Sequence, residues 1–470
     1  MRFSLRVAPP KIIETRGDGV FEPARPEPFI GPPRDYLKMF LLARKDYLSV
    51  FRSGDYRSRV SQMRGFGRQL VLVNVPEQVK YVLATRHDNF ERKSPAMRRA
   101  LEYLLGDGLF ISDGETWKRR RPLVSDIVHK SRLPQFAGHM EAVTLDLVQR
   151  WQGLPPDTVI DALAEMGGLT AEIIARAVFG DDIGPDDAGE VVAGFTSFQS
   201  LVDNLNLAYV AGFDNGIPLL KTPRLRRAIW RVRRVIDRIA TNHLEGRSHD
   251  GSMLDLLVRR QQKNPELGLD RDALRNEAAT IFMAGQETAA ATLTWAWYLL
   301  ANAPWSEAAL HEEIERVCGR RPPTLDDVPK LEYCRAVVEE TLRLYPPVPV
   351  LGRQAREADR IGSIDVLPAA IITISPWLLH RNPDIWTRPH HFVPERFLGG
   401  WRPVPYSYIP FASGPRICAG LQFGLTETIL CLAILAQRFT VRVAPGATVR
   451  PASRLTLRPQ NGLPVTIHPR

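Results

Sequence analysis

Apolar residues recur at three- and four-residue intervals along most of the chain between Asp113 and Arg320, which predicts a series of α-helices. Clusters of proline and glycine interrupt this pattern and predict the connecting loops. They lie around residues 153–156, 180–188, 211–223 and 263–268. The longest uninterrupted segment predicts a helix from about Asp270 to Leu300, with Asp270 as its N-cap.

Short segments with the aliphatic and β-branched bias of strands lie towards both ends of the chain. They are residues 69–75, 371–374, 439–443 and 455–457. A helical majority with few short strands predicts a mainly α fold with a small β-sheet region.

Residues 1–33 contain seven prolines and few apolar runs, so they predict an irregular arm laid over the surface. Residues 34–470 show no internal repeat and no linker. Length alone suggests about three domains. However, the candidate functional residues are far apart in sequence and need to converge, so a single large domain is expected.

The composition, with 44% hydrophobic and 24% charged residues, is that of a globular protein with a sizeable core. The four cysteines (Cys318, Cys334, Cys418 and Cys431) form no close pair, which disfavours a disulfide framework or a zinc module. No apolar run approaches the length of about 18 residues that a membrane span needs. The first residues lack the features of a signal peptide. A cytoplasmic protein without a transmembrane anchor is therefore expected.

The 62 basic and 52 acidic residues give a net charge of +10. The basic residues are scattered and accompany no motif of stacking aromatics, which argues against nucleic-acid binding. Attraction to an acidic protein partner is one explanation of the charge. A well-solvated surface is the commoner one.

A loop rich in glycine and proline, from Phe411 to Gly420, runs directly into an apolar segment and carries the isolated Cys418. The start of a helix offers unpaired N–H groups and a positive dipole end, and both stabilise a thiolate. Phe411 can pack against a flat apolar cofactor, and Arg416 can meet a carboxylate at its rim. A single thiolate without neighbouring Cys or His favours haem over zinc or iron–sulfur. For Cys418 taken alone, a buried small residue at a helix start is the alternative.

Phe411, Gly414, Arg416, Cys418 and Gly420 match the ten-residue ligand loop of the cytochrome P450 superfamily, which the chain resembles over roughly residues 68 to 470. The resemblance implies haem b with an axial thiolate from Cys418. Some fatty-acid hydroxylases of the family bind haem covalently through a glutamate where this chain has Ala284, so haem is expected to be held non-covalently.

Gly285, Glu287 and Thr288 lie in the middle of the longest predicted helix, where glycine costs roughly 1 kcal/mol relative to alanine. A hydroxyl and a carboxylate beside such a weakened turn could bind water. A solvated glutamate is the alternative, although small and apolar flanking residues disfavour it. The segment is similar to the family's oxygen-activating helix, which implies that Thr288 holds a water network and Glu287 supplies protons.

Glu340 and Arg343 are three residues apart and share a helix face. Their apolar flanks suggest that the pair is buried, and a buried pair needs further partners. Together with Arg396 they resemble the structural Glu–Arg–Arg triad of the family.

Trp117 and Arg121 also share a helix face and look like the pair that donates to a haem propionate in the family. A core tryptophan beside a surface arginine is the alternative. By the same resemblance, Arg353 and Arg416 would complete the propionate site.

Five further basic residues lie around Trp117, namely Lys118, Arg119, Arg120, Lys130 and Arg132. In the family this side of the haem receives an acidic ferredoxin or flavodoxin, and a solvated basic helix is the alternative. The protein itself is expected to be a monomer.

The resemblance as a whole implies a monooxygenase that activates O₂ with two electrons from a separate donor and hydroxylates a lipophilic molecule. The mostly aliphatic candidate pocket segments, with Phe110 and Phe282, leave fatty acid, terpenoid, steroid and small aromatic substrates open. A peroxide-driven or rearranging enzyme of the same fold and a non-catalytic haem-binding sensor are the alternatives.

Overall fold

The computed structural model describes residues 12–17, 20–30, 36–43, 45–65, 68–180, 183–201, 222–247, 251–453 and 455–470. Most of them are helical. The α-helices in chain order are α1 (Tyr36–Ala43), α2 (Pro76–Lys80), α3 (His87–Phe90), α4 (Pro95–Leu105), α5 (Gly114–Ile127), α6 (Leu133–Gln152), α7 (Ala162–Phe179), α8 (Pro185–Leu201), α9 (Pro223–Leu244), α10 (Met253–Lys263), α11 (Arg271–Ala301), α12 (Pro304–Cys318), α13 (Glu332–Leu344), α14 (Pro376–Leu379) and α15 (Leu421–Arg438). A π-helical turn (Tyr81–Thr85) continues α2.

The strands form small sheets. In chain order they are β1 (Ile12–Gly17), β2 (Val20–Pro26), β3 (Val60–Gly65), β4 (Arg68–Val73), β5 (Arg92–Lys93), β6 (Val159–Asp161), β7 (Leu351–Gln354), β8 (Asp359–Ile361), β9 (Ile364–Val366), β10 (Ile371–Ile374), β11 (Phe439–Val443), β12 (Pro451–Ser453), β13 (Leu457–Pro459) and β14 (Pro464–Pro469). The largest sheet has the order β3-β4-β10-β7-β5, and a three-stranded sheet has the order β11-β14-β6. The predicted mainly α fold with a small β-sheet region is confirmed.

Helix α11 is the long helix that the apolar pattern predicts. The Asp270 carboxylate accepts a hydrogen bond from the backbone N–H of Ala273 at 2.8 Å and caps the helix as expected. The helix packs against α7, α13 and α15. Gly285 faces α7, where an added Cβ would lie 2.7 Å from Cγ1 of Ile174. Close packing of two helices therefore explains this mid-helix glycine, and α11 remains continuous through it.

The irregular arm predicted for residues 1–33 is wrong for the part that the structure describes. β1 and β2 pair as an antiparallel hairpin. The backbone N–H of Ala24 donates to the Tyr298 hydroxyl at 3.1 Å, and the Tyr345 hydroxyl donates to the Ala24 carbonyl at 2.6 Å. Ala24 is fully buried. The segment is thus tied to the main core, and the expected boundary at residue 33 does not separate it.

Buried side chains from the N-terminal hairpin, the helices and the C-terminal strands belong to one large hydrophobic cluster, and a second cluster lies beneath the five-stranded sheet. Of the helices described, none is both long and apolar enough to cross a membrane.

Candidate functional site

The loop that carries Cys418 closes on itself just before α15. The Cys418 N–H donates to the Phe411 carbonyl at 2.8 Å, and Gly420 is the residue that precedes the helix. Part of the Cys418 side chain is exposed to solvent, and many protein atoms nevertheless lie close to its thiol. This desolvation raises the pKa of its thiol, while the Gly420 N–H and the cations of Arg121 and Lys93 act in the opposite direction.

Gly414 fixes this loop against the π-helical turn that follows α2. Its φ is +72°, and an added Cβ would lie 2.0 Å from the Leu83 carbonyl oxygen. Both the backbone conformation and the contact therefore require glycine.

The other three cysteines have different surroundings. Cys318, Cys334 and Cys431 are buried. Cys431 lies within α15, where its Sγ is 3.2 Å from Oγ1 of Thr144, and Cys334 contacts the carbonyl of Ile429 at 3.5 Å. Burial raises the pKa of both thiols. Cys418 is the one cysteine with an exposed side chain.

Lys93 and Arg353 are direct cross-strand neighbours on β5 and β7. Like charges in this position repel. Arg353 is 2% exposed, and its burial together with the nearby charge of Arg416 lowers its pKa to about 10. Burial and the charges of Arg353 and Arg416 also lower the pKa of Lys93 well below its ordinary value. Lys93 was not predicted from the sequence.

The side chain of Arg416 extends from the ligand loop to α5 and the residues before it. Its guanidinium stacks over the Trp117 ring at 4.5 Å and donates to the Ser112 carbonyl at 2.9 Å. The Glu91 carboxylate is 3.8 Å away, and the buried Nε of Arg416 has no hydrogen-bond partner. Burial lowers the pKa of Arg416 to about 10. The structure thus brings Trp117 and Arg416 together.

Lys93, Arg121, Arg353 and Arg416 form one group, which we call the cation cluster. Arg121 is half-buried, and its desolvation lowers its pKa while the nearby Cys418 raises it. Across the parts of the chain that the structure describes, no carboxylate pairs with Lys93, Arg121 or Arg353. Glu91, the neighbour of Arg416, also pairs with Arg356 at 3.0 Å. Arg353 is buried and Lys93 and Arg121 are partly buried, and such cations without carboxylate partners call for an anionic ligand.

Glu340, Arg343 and Arg396 form a fully bonded cluster. Arg343 and Glu340 are both 0% exposed and make two hydrogen bonds of 2.6 and 2.8 Å, and Nε of Arg396 is 3.1 Å from the same carboxylate. The remaining Arg343 donors bind backbone carbonyls. These belong to His380 (2.8 Å), Pro389 (2.7 Å) and His391 (2.9 Å). The cluster thus connects α13 to the segment 380–396.

The middle of α11 is more accessible than its flanks. Ala284 is exposed and residues 285–288 are partly buried, whereas residues 281–283 and 289–300 are buried. The Thr288 hydroxyl donates to the Ala284 carbonyl at 2.7 Å. Thr288 is therefore oriented by the helix itself, on the part of α11 that presents surface to a ligand.

Glu287 contacts the C-terminal hairpin formed by β12 and β13. Its Oε1 accepts a hydrogen bond from the Thr456 hydroxyl, and a guanidinium nitrogen of Arg458 lies 3.8 Å from the same oxygen. The Glu287 side chain is 13% exposed. A solvated glutamate on a helix face does not describe this residue.

A buried polar network joins the first half of α11 to the loop before α5. Glu277 accepts from the Leu109 N–H at 3.1 Å and from Arg120 at 3.2 Å, and Arg120 also binds Asp107 at 2.9 Å. Burial raises the pKa of Glu277 to about 7. Arg120, which was grouped with the surface charges, thus points inward. This network fixes residues 107–109, which lie in the stretch 90–112 that was one of the expected pocket segments.

Comparison with known proteins agrees with this geometry. The family model for cytochrome P450 matches residues 54–466. The chain belongs to the cytochrome P450 family. It is 33% identical to cyclooctatin synthase of Streptomyces melanosporofaciens over 427 residues, which cover 89% of this chain and 90% of the relative.

A second relative from the same organism is cyclooctat-9-en-7-ol 5-monooxygenase, 30% identical over 350 residues that cover 74% of this chain and 75% of the relative. The crystal structure of the cytochrome P450DA haem domain superposes with a TM-score of 0.75, at 24% identity and with 94% of each chain covered, and shows the shared fold.

Family membership makes the chain an oxidoreductase of the haem-dependent monooxygenase class, with haem b bound through a cysteine thiolate. The residues present fit that group. Among the residues described, Lys93, Arg121 and Arg353 have no carboxylate partner and the buried Nε of Arg416 is unpaired, and two haem propionates would satisfy both needs.

We predict that Gly414→Ala prevents normal haem incorporation and lowers the free energy of unfolding by at least about 2 kcal/mol, because the new Cβ would overlap the Leu83 carbonyl in a disfavoured backbone conformation. Haem content from the Soret band and the thermal midpoint measure the two effects.

Gly446→Ala is the matched control. Gly446 has a φ of +75° and no atom within 4 Å of an added Cβ, so it isolates the cost of backbone strain, about 1 kcal/mol. Equal losses in the two variants would contradict the role of the Leu83 contact.

Proposed function

We propose that this protein hydroxylates a lipophilic small molecule, using Cys418 as the haem ligand and electrons from a separate protein donor. The observation that carries the proposal is the position of Cys418. It is the accessible cysteine, it precedes a helix start, and it lies beside a cation cluster that needs an anionic ligand.

Cys431 is the competing ligand, since it is the next cysteine along the chain. It lies within α15, is fully buried, and its thiol contacts Thr144. A residue in the interior of a helix, packed against α6, has no face left for a planar cofactor. Cys418 is therefore the better assignment.

Trp117, Arg121, Arg353 and Arg416 would hold the propionates, and Lys93 joins them on the evidence of its pairing with Arg353. Phe411 and Gly420 are the first and last residues of the ligand loop. When bound, haem supplies the activation of O₂, and the thiolate favours cleavage of the O–O bond. The remaining work of the chain is to orient the substrate, exclude water and deliver protons.

Proton delivery falls to Glu287 and Thr288. The Thr288 hydroxyl is oriented by the Ala284 carbonyl and can bind water on the accessible part of α11. The Glu287 carboxylate, one residue earlier, can take a proton from solvent and pass it to that water. Peroxide-driven chemistry would not need this pair.

The substrate that we infer is a carbocyclic, sparingly polar molecule such as a terpenoid alcohol. Two relatives carry names that concern cyclooctatin and cyclooctat-9-en-7-ol, an unsaturated cyclic alcohol. The apolar run 278–283 and the accessible Ala284 that follows it in α11 suit such a molecule better than a charged one.

The electron donor that we infer is an acidic ferredoxin or flavodoxin. Lys118 and Arg119 on α5 and Lys130 just after it are exposed. They lie on the same segment as Trp117 and Arg121, so an acidic partner bound there would be close to the haem edge.

We expect Cys418→Ser to abolish the red-shifted band of the reduced carbon-monoxide complex that a thiolate ligand produces. Cys431→Ala should keep that band and lose only about 1 kcal/mol of stability, since it removes one buried thiol. Retention of the band in the first variant and its loss in the second would reverse the assignment.

Among candidate ligands, cyclododecanol should displace the Soret band of the ferric protein at lower concentration than dodecanoic acid, testosterone or indole. It is a carbocycle with a single hydroxyl, like the inferred substrate class, whereas the carboxylate of a fatty acid would have to be desolvated. Titration of each compound measures the apparent Kd. Tighter binding of the fatty acid would contradict the inferred substrate class.

Charge reversal at the proposed donor surface should weaken electron transfer. Arg119→Glu and Lys130→Glu are each expected to raise the KM for an acidic ferredoxin about fivefold at low salt, with a smaller effect at high salt. Arg224→Glu, at an exposed position on α9, is the matched control. An equal effect of the control would show that net charge alone is sensed.

A further inference from the structure

The C-terminal hairpin reaches the middle of α11 at Glu287. Thr456 is 6% exposed and donates its hydroxyl proton to Oε1 of Glu287. Arg458 is 37% exposed and lies 3.8 Å from the same oxygen. One carboxylate oxygen thus has a buried neutral donor on one side and a cation that extends to solvent on the other.

Leu457, between these two residues, fixes the hairpin in place. It is fully buried, its N–H donates to the Pro347 carbonyl at 2.9 Å, and its carbonyl accepts from the Trp295 indole at 3.1 Å. Arg458 follows Leu457 in β13, so the burial of Leu457 directs the Arg458 side chain to the opposite face of the strand, and Thr456 is the residue that precedes the strand. The attachment of the hairpin to α11 is therefore carried by Trp295 and Leu457.

The contact of Thr456 and Arg458 with Glu287 goes beyond that attachment. A hydrogen bond from a hydroxyl to a carboxylate is stronger than one between neutral groups and restricts the rotation of the acid. The cation 3.8 Å away stabilises the deprotonated form, more weakly because Arg458 is partly exposed. Together they restrain the orientation of Glu287 and favour its deprotonated form.

We propose that Thr456 and Arg458 are positioning residues that hold Glu287 for proton delivery, an inference that rests on the proposed role of Glu287. The carboxylate accepts a proton from solvent on the Arg458 side and releases the same proton towards the water held by Thr288. Thr456 keeps the carboxylate between these two positions. The two residues act through Glu287 and exchange no proton themselves.

The test compares Thr456→Val, which keeps the shape of the side chain but removes the donor, with Thr456→Ser, which restores the donor. NADPH oxidation with a ferredoxin and its reductase should slow at least about threefold in the valine variant, with a larger solvent deuterium isotope effect. The serine variant should recover both values. Arg458→Gln should slow NADPH oxidation less than Thr456→Val does. Arg458→Lys, which keeps the positive charge, should slow it less than Arg458→Gln does.

Two further measurements separate positioning from loss of structure. The infrared carboxyl band that Glu287→Gln removes should shift in the valine variant and return in the serine variant. Trp295→Phe, which loosens the same hairpin but keeps the Thr456 hydroxyl, should lower the thermal midpoint and change the isotope effect less than the valine variant does. With hydrogen peroxide as oxidant, which brings its own protons, the valine variant should match the wild type.

An unchanged rate, isotope effect and infrared band in a folded valine variant would overturn the proposal. So would an isotope effect in Trp295→Phe as large as that in the valine variant. A wild-type protein without the thiolate-type carbon-monoxide band, or without NADPH oxidation, would instead overturn the proposed function.

Discussion

Buried positive charge with too few acidic partners is the constraint on which the arrangement around Cys418 depends. Lys93 and Arg353 lie opposite one another on paired strands, and the charge of Arg416 lies close to both. Such a group is costly unless an anion neutralises it. A dianionic cofactor that binds the folded state supplies this neutralisation and, by mass action, stabilises the fold. The cofactor is thus part of the charge balance of the interior.

In the cluster of Glu340, Arg343 and Arg396, the buried positive charge is instead neutralised by a carboxylate of the chain itself. Its carboxylate accepts from two arginines, and the other donors of Arg343 bind carbonyls of residues 380–391. Those residues contain little regular structure, so their carbonyls have few partners in sheets or helices. One buried ion pair therefore fixes an irregular segment, and its main effect is to hold the backbone of residues 380–391 in one conformation.

Much of this structure follows from local patterns in the sequence. The apolar periodicity and the cap at Asp270 predicted α11, and aliphatic runs predicted β4, β10 and β11. The N-terminal hairpin was missed because its prolines suggested irregularity. Pro23 lies where the register between β1 and β2 shifts, so it interrupts no ladder bond, and tyrosine hydroxyls from distant helices satisfy the next residue.

Site residues that belong to a sequence motif could be predicted. Those that only the tertiary structure brings to the site could not. Cys418 and Arg416 belong to a loop of fixed spacing. Lys93 stands in the charged run Glu91-Arg92-Lys93, which has the composition of a solvated segment, and only the pairing of β5 with β7 turns it inward. Arg120 and Glu277 are 157 residues apart, and neither has a neighbour in sequence that signals their contact.

The contact between Gly414 and Leu83 joins two segments that are more than 300 residues apart in the chain. The π-helical turn at residues 81–85 sets where the Leu83 carbonyl lies, and the ligand loop has no room to follow it if it moves. The number of residues between β4 and β5 is therefore constrained by a loop near the other end of the protein. Homologous proteins should therefore keep the length of the segment between β4 and β5, and insertions and deletions should lie in other parts of the chain.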